Sequence, residues 1–393
     1  MRILYVSPFP PIRDGIGTYT QLILGALRDR GHQARAIVPR EESLENPDAL
    51  ALLSPRSKDL VELCNVATAW NPDCIHVQFA VAAFGTRTLA LIRWLRLMRS
   101  RGVPIVLTMH EVTRDIGLLG SAGGKLYRSL TSLCDHVIVH TQGAFSECVR
   151  NIPVSPEIVS VIPHPKAIPP PEVVSGTELR DRFVVGDSDF LLAFGFVHVD
   201  KGLSDLVRAL CLLQDSDFPS QDSVKSVKLV IAGAVRRRNS IFRLFEFRDR
   251  VYLWHILRMA RRGGVDRNIL LTGYVPEAEI AGWFRAASAV VLPYRRTEQS
   301  GVAALANAFG TPALASTVGG LRELYGDSAW TFPPANPQEL ARVLEAFLAL
   351  PSNERVSTGR PQQSTELNAV ITSTIEVYRS IVSGSPAMPP ADA

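Results

Sequence analysis

Three runs of the sequence place glycines and polar residues where an apolar strand gives way to a helix. The first is Asp14-Gly15-Ile16-Gly17-Thr18-Tyr19, which follows the opening strand. Glycines there let backbone N–H groups reach a ligand at a helix start, where the helix dipole favours anions. It is a poor dinucleotide fingerprint, because the loop before Gly15 is too long and the third glycine position holds Thr20. The second is Phe194-Gly195-Phe196-Val197-His198-Val199-Asp200-Lys201-Gly202. Lys201, one of six lysines in a chain rich in arginine, offers a point charge for phosphate. The third, residues 289–320, reads AVVLPYRRTEQSGVAALANAFGTPALASTVGG. Its loop carries Arg295, Arg296, Thr297, Glu298 and Gln299, and a helix follows from Ser300-Gly301. The unpaired N–H groups of Ser300, Gly301 and Val302, beside two arginines, suit a pyrophosphate. The plain alternatives are a turn with a cap, a solvated lysine and an ordinary capped helix.

What must position these loops is an alternation of short apolar runs with helical stretches. Strands are expected at Ile3–Ser7, Ala34–Val38, Cys74–Gln78, Ile105–His110, His136–His140 and Ile158–Ile162. Helices between them include Tyr19–Arg30, Thr88–Ser100 and Lys125–Cys134. Continuous apolar strands separated by helices predict a parallel sheet covered on both faces. Pro163-His164-Pro165 and Pro169-Pro170-Pro171 then interrupt the pattern. Stacked prolines continue neither helix nor central strand, so 166–186 reads as a linker. The alternation restarts with strands at Phe190–Phe196, Lys228–Ala232, Ile269–Thr272, Ala289–Leu292 and Ala313–Ser316. Helices are expected at Gly202–Leu213, Glu277–Ala286, Ser300–Phe309 and Pro337–Leu348. The fold class is therefore α/β, two doubly wound parallel-sheet domains at 1–165 and 187–365. Such sheets bind ligands at the carboxyl ends of their strands, which points to a cleft between the domains. A final helix within 366–383 is expected to pack back on the first domain, and 384–393 to be a disordered tail.

Composition narrows the classes. With 393 residues, 46% hydrophobic and 20% charged, the chain has the make-up of a globular protein of two domains. A net charge of +4 is weak support for nucleic acid, and none is expected as partner. Five cysteines without a Cys-x-x-Cys spacing indicate neither a disulfide framework nor a zinc knuckle, and fit a reducing cytoplasm. The opening apolar run is too short for a signal peptide, and no stretch reaches the length of a membrane span. Among the eight histidines, none form an i, i+4 pair flanking a carboxylate, so no metal is expected. Asp187-Ser188-Asp189 and Asp215-Ser216-Asp217 read as loop turns rather than a metal-binding Asp-x-Asp.

Basic charge is concentrated in two segments. Residues 236–267 hold ten arginines against Glu246, Asp249 and Asp266, and 87–101 hold five arginines and no acid. In Thr88–Ser100 the apolar Leu91, Trp94, Leu95 and Met98 share one helix face, with Arg93, Arg96 and Arg99 on another. That pattern serves an anionic membrane surface, with Trp94 or Trp254 inserting, or equally a helix packed on its own sheet.

These motifs in this order resemble glycosyltransferase family 4, a retaining group with the GT-B fold. The matching pieces are the opening strand with its glycine loop, Val161-Ile162-Pro163-His164-Pro165, Lys201-Gly202 and Leu270-Leu271-Thr272-Gly273-Tyr274-Val275-Pro276. The strand–helix–strand of 289–320 and Val318-Gly319-Gly320-Leu321-Arg322-Glu323 complete the set, which spans nearly the whole chain. The resemblance implies a nucleoside-diphospho-sugar donor bound mainly by the second domain, its diphosphate on the Ser300–Val302 helix start. It makes Lys201 a diphosphate ligand and His110 the histidine near the transferred sugar. Gly15, Gly17, Arg295, Arg296, Thr297, Glu298, Ser300, Gly301 and Val302 complete the expected donor site.

Two departures stand out. The family's paired glutamates, eight positions apart, would fall at Thr297 and Leu305; Glu298 is one place off, and eight positions after it lies Ala306. The arginine expected near Phe196 or His198 is missing, and Arg295 or Arg296 is the expected substitute. The implied activity is retaining transfer of a hexose to an acceptor hydroxyl without a metal cofactor. The implied acceptor is a glycan or lipid-linked molecule of cell-surface glycan or glycolipid synthesis, handled in the cytoplasm or at the inner membrane face. A sugar-nucleotide epimerase and a non-catalytic binding subunit are the other readings.

Overall fold

The computed structural model describes residues 1–10, 15–40, 49–56, 59–214, 227–236, 243–355 and 365–384, without the side chains of 244 and 245. The chain divides into two compact units, one of 1–165 with 365–393 and one of 166–364.

The first unit is built on seven strands: β1 Arg2–Val6, β2 Gln33–Pro39, β3 Ala49–Leu53, β4 Cys74–Phe79, β5 Ile105–Met109, β6 His136–Val139 and β7 Val159–Val161. All pair in parallel, in the order β3-β2-β1-β4-β5-β6-β7. Every residue of β4 and β5 is buried, as near-continuous apolar strands covered on both faces must be. One face packs Leu4, Val77 and Leu107 against Leu91, Trp94 and Leu95 of the helix Thr88–Ser100. Trp94 is 1% exposed, so the helix is a core element and Trp94 is unavailable to a membrane. Its arginines face outward, and Arg99 is tied to the Leu133 carbonyl at 2.7 Å. The other face packs Tyr5, Ala36 and Val106 against Ile23 and Leu27, and against Ile371, Ile375 and Tyr378 of the C-terminal helix Leu367–Ser383. The expected tail beyond Gly384 lies outside the described residues.

The second unit carries β8 Phe190–Phe194, β9 Lys228–Ala232, β10 Ile269–Leu271, β11 Ala289–Leu292, β12 Ala313–Ser316 and β13 Thr331–Phe332. The order is β10-β9-β8-β11-β12-β13, again parallel. The strand order reverses between β8 and β11, the place where a doubly wound sheet opens a crevice at its carboxyl ends. The 166–186 segment is more than a linker. Ser175 caps a helix over Gly176–Arg182 whose Leu179 is fully buried beside Trp283 and Phe284. Gly282 permits that approach, since a Cβ there would strike the Val174 carbonyl and the Leu179 side chain. Among the described residues, no helix is long and apolar enough to cross a membrane.

Candidate functional site

In the second unit the polar loops converge at the carboxyl ends of β8 and β11. β8 runs into Gly195, and Lys201 sits in a single 3-10 turn, Val199–Lys201, closed by Gly202. Gly202 has φ +64, and a Cβ on it would collide with the Pro293 carbonyl at the end of β11. The Lys-Gly pair is thereby explained: only glycine lets the lysine turn lie against the neighbouring strand. Lys201 Nζ donates to the Tyr294 hydroxyl. The Ser300 hydroxyl lies 3.5 Å from the same phenol oxygen, at the limit of a hydrogen bond. Tyr294 therefore links the lysine to the start of the helix Gly301–Phe309.

Ser300 is the N-cap of that helix, its side chain accepting from Ala303 N at 3.1 Å. The Gly301 and Val302 amides head the first turn, where the helix dipole favours an anion. The Val302 side chain is buried in the core, so only its backbone serves a ligand. Gly195 abuts it: a Cβ there would come 3.8 Å from Val302 Cγ2. The loop before the helix is held by backbone, with Gly320 N donating to the Glu298 carbonyl at 3.1 Å and Thr297 Oγ1 donating to Gln299 O. Gly319, at φ +49, packs on the Thr297 carbonyl where no side chain fits. At the positions lacking the second glutamate, Leu305 packs against the core and Ala306 is fully buried.

The two loop arginines have different surroundings. Arg295 makes a bidentate pair with Asp205, Nε and Nη2 lying 2.8 and 2.7 Å from its two carboxylate oxygens. That hydrogen bonding holds the guanidinium pKa above its usual value, and its charge is already matched by a carboxylate 3% exposed. Arg296 is exposed. The side chain over Phe196 is neither of these: Arg236, beyond β9, places its guanidinium carbon 5.5 Å from the Phe196 ring centroid. Arg248, from the helix Arg243–Arg262, lies 2.8 Å from His198 Nε2. Both arginines come from the basic segment, far along the sequence from β8, which is why the local motif did not reveal them.

A cavity of this unit lies elsewhere. It holds about 250 Å³ and is lined by Asp189, Ser288, Thr311 and Arg355, at the amino ends of β8, β11 and β12. Arg355 bonds Asp189 at 2.6 Å and the Leu348 and Leu350 carbonyls. This is a structural clamp at the end of the sheet opposite the Lys201 and Ser300 loops. It also gives Asp189 a packing role, in keeping with reading Asp187-Ser188-Asp189 as a turn; Asp215-Ser216-Asp217 lies outside the described residues.

The first unit gathers a second constellation. Gly15 and Gly17 open the helix Gly15–Asp29. A Cβ on Gly17 would lie 3.2 Å from the Phe9 backbone, whereas Gly15 has open space. His110 directly follows β5 rather than ending it, and is buried. Its Nε2 lies 2.7 Å from Gln78 Oε1. Gln78 Nε2 is 3.2 Å from His76 Nε2, and His76 Nδ1 is 2.6 Å from the Tyr378 hydroxyl, itself 2.6 Å from that of Tyr5. A buried polar chain thus runs from Tyr5 of β1 through Tyr378 of the C-terminal helix and His76 and Gln78 of β4 to His110. His140 and His164 join His110, with the Tyr19 ring against all three at centroid distances of 5.5, 4.4 and 5.5 Å to His140, His164 and His110. Burial lowers the pKa of all three histidines, so they are neutral. The sequence carried a signal for this cluster, a histidine just past each of three successive strands, but a search for pairs along one helix passes over it.

Comparison with known proteins follows this division. Residues 13–165 match the family described as Glycosyltransferase Family 4, and residues 188–349 match that described as Glycosyl transferases group 1. The D-inositol 3-phosphate glycosyltransferase of Xylanimonas cellulosilytica is 28% identical over 278 residues, covering 66% of this chain and 60% of that protein. The enzyme of the same name from Pseudarthrobacter chlorophenolicus is 27% identical over 331 residues, 79% of this chain and 71% of that one. Among solved structures, a sucrose-phosphate synthase from Thermosynechococcus elongatus superposes with TM-score 0.72 at 18% identity, covering 98% of this chain and 100% of that chain. The Anabaena protein Alr3699/HepE in complex with UDP gives 0.71 at 15%, covering 97% and 100%. At these identities the structural likeness establishes the fold, two α/β domains of the GT-B type.

Proposed function

Since the chain belongs to glycosyltransferase family 4, we propose that it transfers a hexose from a nucleoside-diphospho-sugar to an acceptor hydroxyl with retention of configuration. The observation that carries this is the Lys201–Tyr294–Ser300 connection, which sets a cation and a helix N-terminus on one phenol. The acceptor oxygen forms a bond to the anomeric carbon as the bond to the diphosphate oxygen breaks. The acceptor proton leaves with the departing phosphate. Charge then builds on the diphosphate, and Lys201, the Gly301 and Val302 amides and Arg236 stabilise it there. No protein nucleophile is needed. The likeness to the Anabaena protein in complex with UDP and with UDP-glucose supports a nucleotide sugar as donor. Arg236 over Phe196 replaces Arg295 as the substitute for the missing arginine, because Arg295 is paired with Asp205. The family resemblance adds His110 near the transferred sugar, a role open to its Nδ1 because Nε2 is engaged by Gln78.

The acceptor we infer is lipid-linked, met at an anionic membrane surface. Supporting this, the helix Arg243–Arg262 exposes Phe247, Val251 and Trp254 at i, i+4 and i+7, with Arg243, Arg250, Arg258 and Arg261 exposed along the same side. The experiment that tests the transferase reading is product analysis: purified protein is incubated with a panel of nucleotide sugars and acceptors, and free nucleoside diphosphate and glycosylated product are measured. Binding of donor with neither hydrolysis nor transfer would instead favour the non-catalytic reading, for which the partly buried Leu305 and the buried Ala306 in place of a second glutamate are the observation.

A further inference from the structure

A row of polar side chains crosses the core of the first unit and ends on His110. Tyr5 of β1, His76 and Gln78 of β4, Thr108 of β5 and Tyr378 of the C-terminal helix are all buried, none more than 2% exposed. The strand register sets them side by side. Tyr5 pairs with His76 and Gln78 with Thr108, and alternate residues of β4 point to one face. The rest of that face is apolar, with Ile3, Ala36, Val106 and Ile375. A buried polar group left unpaired costs about 1–3 kcal/mol, and apolar side chains of similar size would hold the sheet without that cost. Packing alone therefore does not account for the row.

Its hydrogen bonds run head to tail in one sense. Gln78 Nε2 lies 3.2 Å from His76 Nε2, and an amide nitrogen only donates, so that ring nitrogen accepts. The Thr108 hydroxyl, 2.7 Å away, meets the same lone pair. His76 then carries its proton at Nδ1 and donates it to the Tyr378 oxygen at 2.6 Å, and Tyr378 donates to Tyr5 at 2.6 Å. At the other end, Gln78 Oε1 is left to accept from His110 Nε2 at 2.7 Å. Burial keeps His110 neutral, so with Nε2 protonated its Nδ1 carries the lone pair. The opposite sense, with His76 protonated at Nε2, would turn the Gln78 amide over and move the His110 proton to Nδ1. The sense of the row thus decides whether His110 offers an acceptor or a donor at Nδ1.

We propose that Gln78 is a positioning residue for His110: it holds Nε2–H so that the Nδ1 lone pair accepts from a hydroxyl of the transferred sugar, while His76 and Tyr378 fix which way the Gln78 amide points. This rests on the transferase reading, in which His110 lies near that sugar. Gln78 is fully buried and acts through the imidazole alone. Tyr378 acts two hydrogen-bonded groups further back, which gives the C-terminal helix a part in the polarity of the site. An imidazole whose far nitrogen donates to a fixed oxygen is held in one tautomer and one orientation, the role a carboxylate plays for histidine in hydrolytic triads.

The test reads the ring proton. In the full chain with isotopically labelled histidine, long-range proton–nitrogen spectra separate protonated from bare ring nitrogens, and His110→Gln assigns the His110 signals. The wild type should show Nε2 protonated and Nδ1 bare. In Gln78→Met, close in volume, and in Tyr378→Phe, each checked for native circular dichroism, His110 should move towards the Nδ1-protonated form. With the donor and acceptor found by product analysis, kcat should fall about 10–100-fold in Gln78→Met and less in Tyr378→Phe, while the Kd of the donor's nucleoside diphosphate stays within about twofold. A merely structural role would lower Tm without moving the ring proton. If Gln78→Met does not fold, Tyr378→Phe carries the comparison. A wild-type His110 protonated at Nδ1 overturns the proposal. So does a ring proton, or a kcat, unchanged in every folded variant. A wild type that turns over no sugar of the panel fails the transferase reading instead, and the ring spectra still decide whether Gln78 orients His110.

Discussion

Arg236 lies over the ring of Phe196, its guanidinium carbon 5.5 Å from the ring centroid, although 40 positions separate them in sequence. The parallel bridge between Val197 and Val235 brings the two loops side by side. The loop after β9 thereby sets a guanidinium beside the β8 loop. Arg236→Gln should weaken nucleoside diphosphate binding by about 1.5–3 kcal/mol, the range for hydrogen bonds to charged groups, and leave nucleoside binding unchanged. Titration calorimetry with the two ligands measures this. Equal losses for both would show that Arg236 does not meet the phosphates.

Lys201→Ala should have an effect of the same size on diphosphate affinity, about 1.5–3 kcal/mol. Its hydrogen bond to Tyr294 makes Tyr294→Phe the informative companion. That variant keeps the ring and frees the lysine, so affinity should fall less than with Lys201→Ala. An unchanged Kd for a well-folded Lys201→Ala would remove the lysine from the donor site.

Arg295 should behave differently from both. Removing it leaves Asp205 buried without its bidentate partner. A fully buried broken pair costs about 3–5 kcal/mol, and the 40% exposure of the arginine side chain reduces the expectation to about 1–3 kcal/mol. Arg295→Gln should thus lower the urea midpoint while leaving diphosphate affinity within about twofold. Loss of affinity with full stability would reverse the assignment.

The contrast between Arg295 and Arg236 shows what the sequence makes legible. The strands and most helices follow from apolar periodicity, because burial on both faces writes a near-continuous apolar run into β5, β8 and β11. Each unit has its own parallel sheet, and the Lys201-Gly202 and Ser300-Gly301 loops lie at strand ends where a glycine or a cap is needed. Short edge strands are less visible: β13 spans only Thr331–Phe332, and β3 is a plain Ala-Leu run. A helix within 166–186 was hidden by the adjacent prolines. Side-chain partnership across a parallel sheet is the least legible. Nothing local in Gln78, His76 or Tyr378 announces that they join hands with His110, since the strand register and a helix some 270 residues on create that contact.

Buried neutral histidines predict a loss of stability in mild acid. Burial lowers the pKa of His76 to about 3 and that of His136 to about 4, against an ordinary value near 6.5. Between these limits the unfolded chain binds protons that the folded chain does not, so stability falls as pH drops from about 6.5 towards 4. Each such histidine contributes a slope of up to about 1.4 kcal/mol per pH unit. Replacing His136, which bonds Ser160 at 2.8 Å, with Gln should flatten the slope while retaining a polar partner. Urea midpoints at pH 7.5 and 5.0 measure it; identical midpoints at the two pH values in the wild type would contradict the assignment of neutral rings.

The exposed side of the helix Arg243–Arg262 makes the last prediction. Trp94 is sealed in the first unit, so it cannot insert in a membrane from the helix Thr88–Ser100. Trp254 is 58% exposed and Phe247 65%, and Arg258 lies 5.1 Å over the Trp254 ring. An arginine stacked on an exposed tryptophan suits the headgroup level, where the ring meets acyl chains and the guanidinium meets phosphate. Each arginine near anionic lipid contributes about 1 kcal/mol, screened within a Debye length of about 8–10 Å. Binding to anionic vesicles should therefore be reversible, fall steeply as salt rises, and be negligible on neutral vesicles. Phe247→Ser with Trp254→Ser should weaken it at all salt concentrations, because insertion is lost. Arg250→Gln with Arg258→Gln should instead reduce the salt dependence. If Arg93, Arg96 and Arg99 changed to Gln abolish binding while the Phe247 and Trp254 variant binds normally, the docking surface lies on the first unit and the exposed aromatic side has another role.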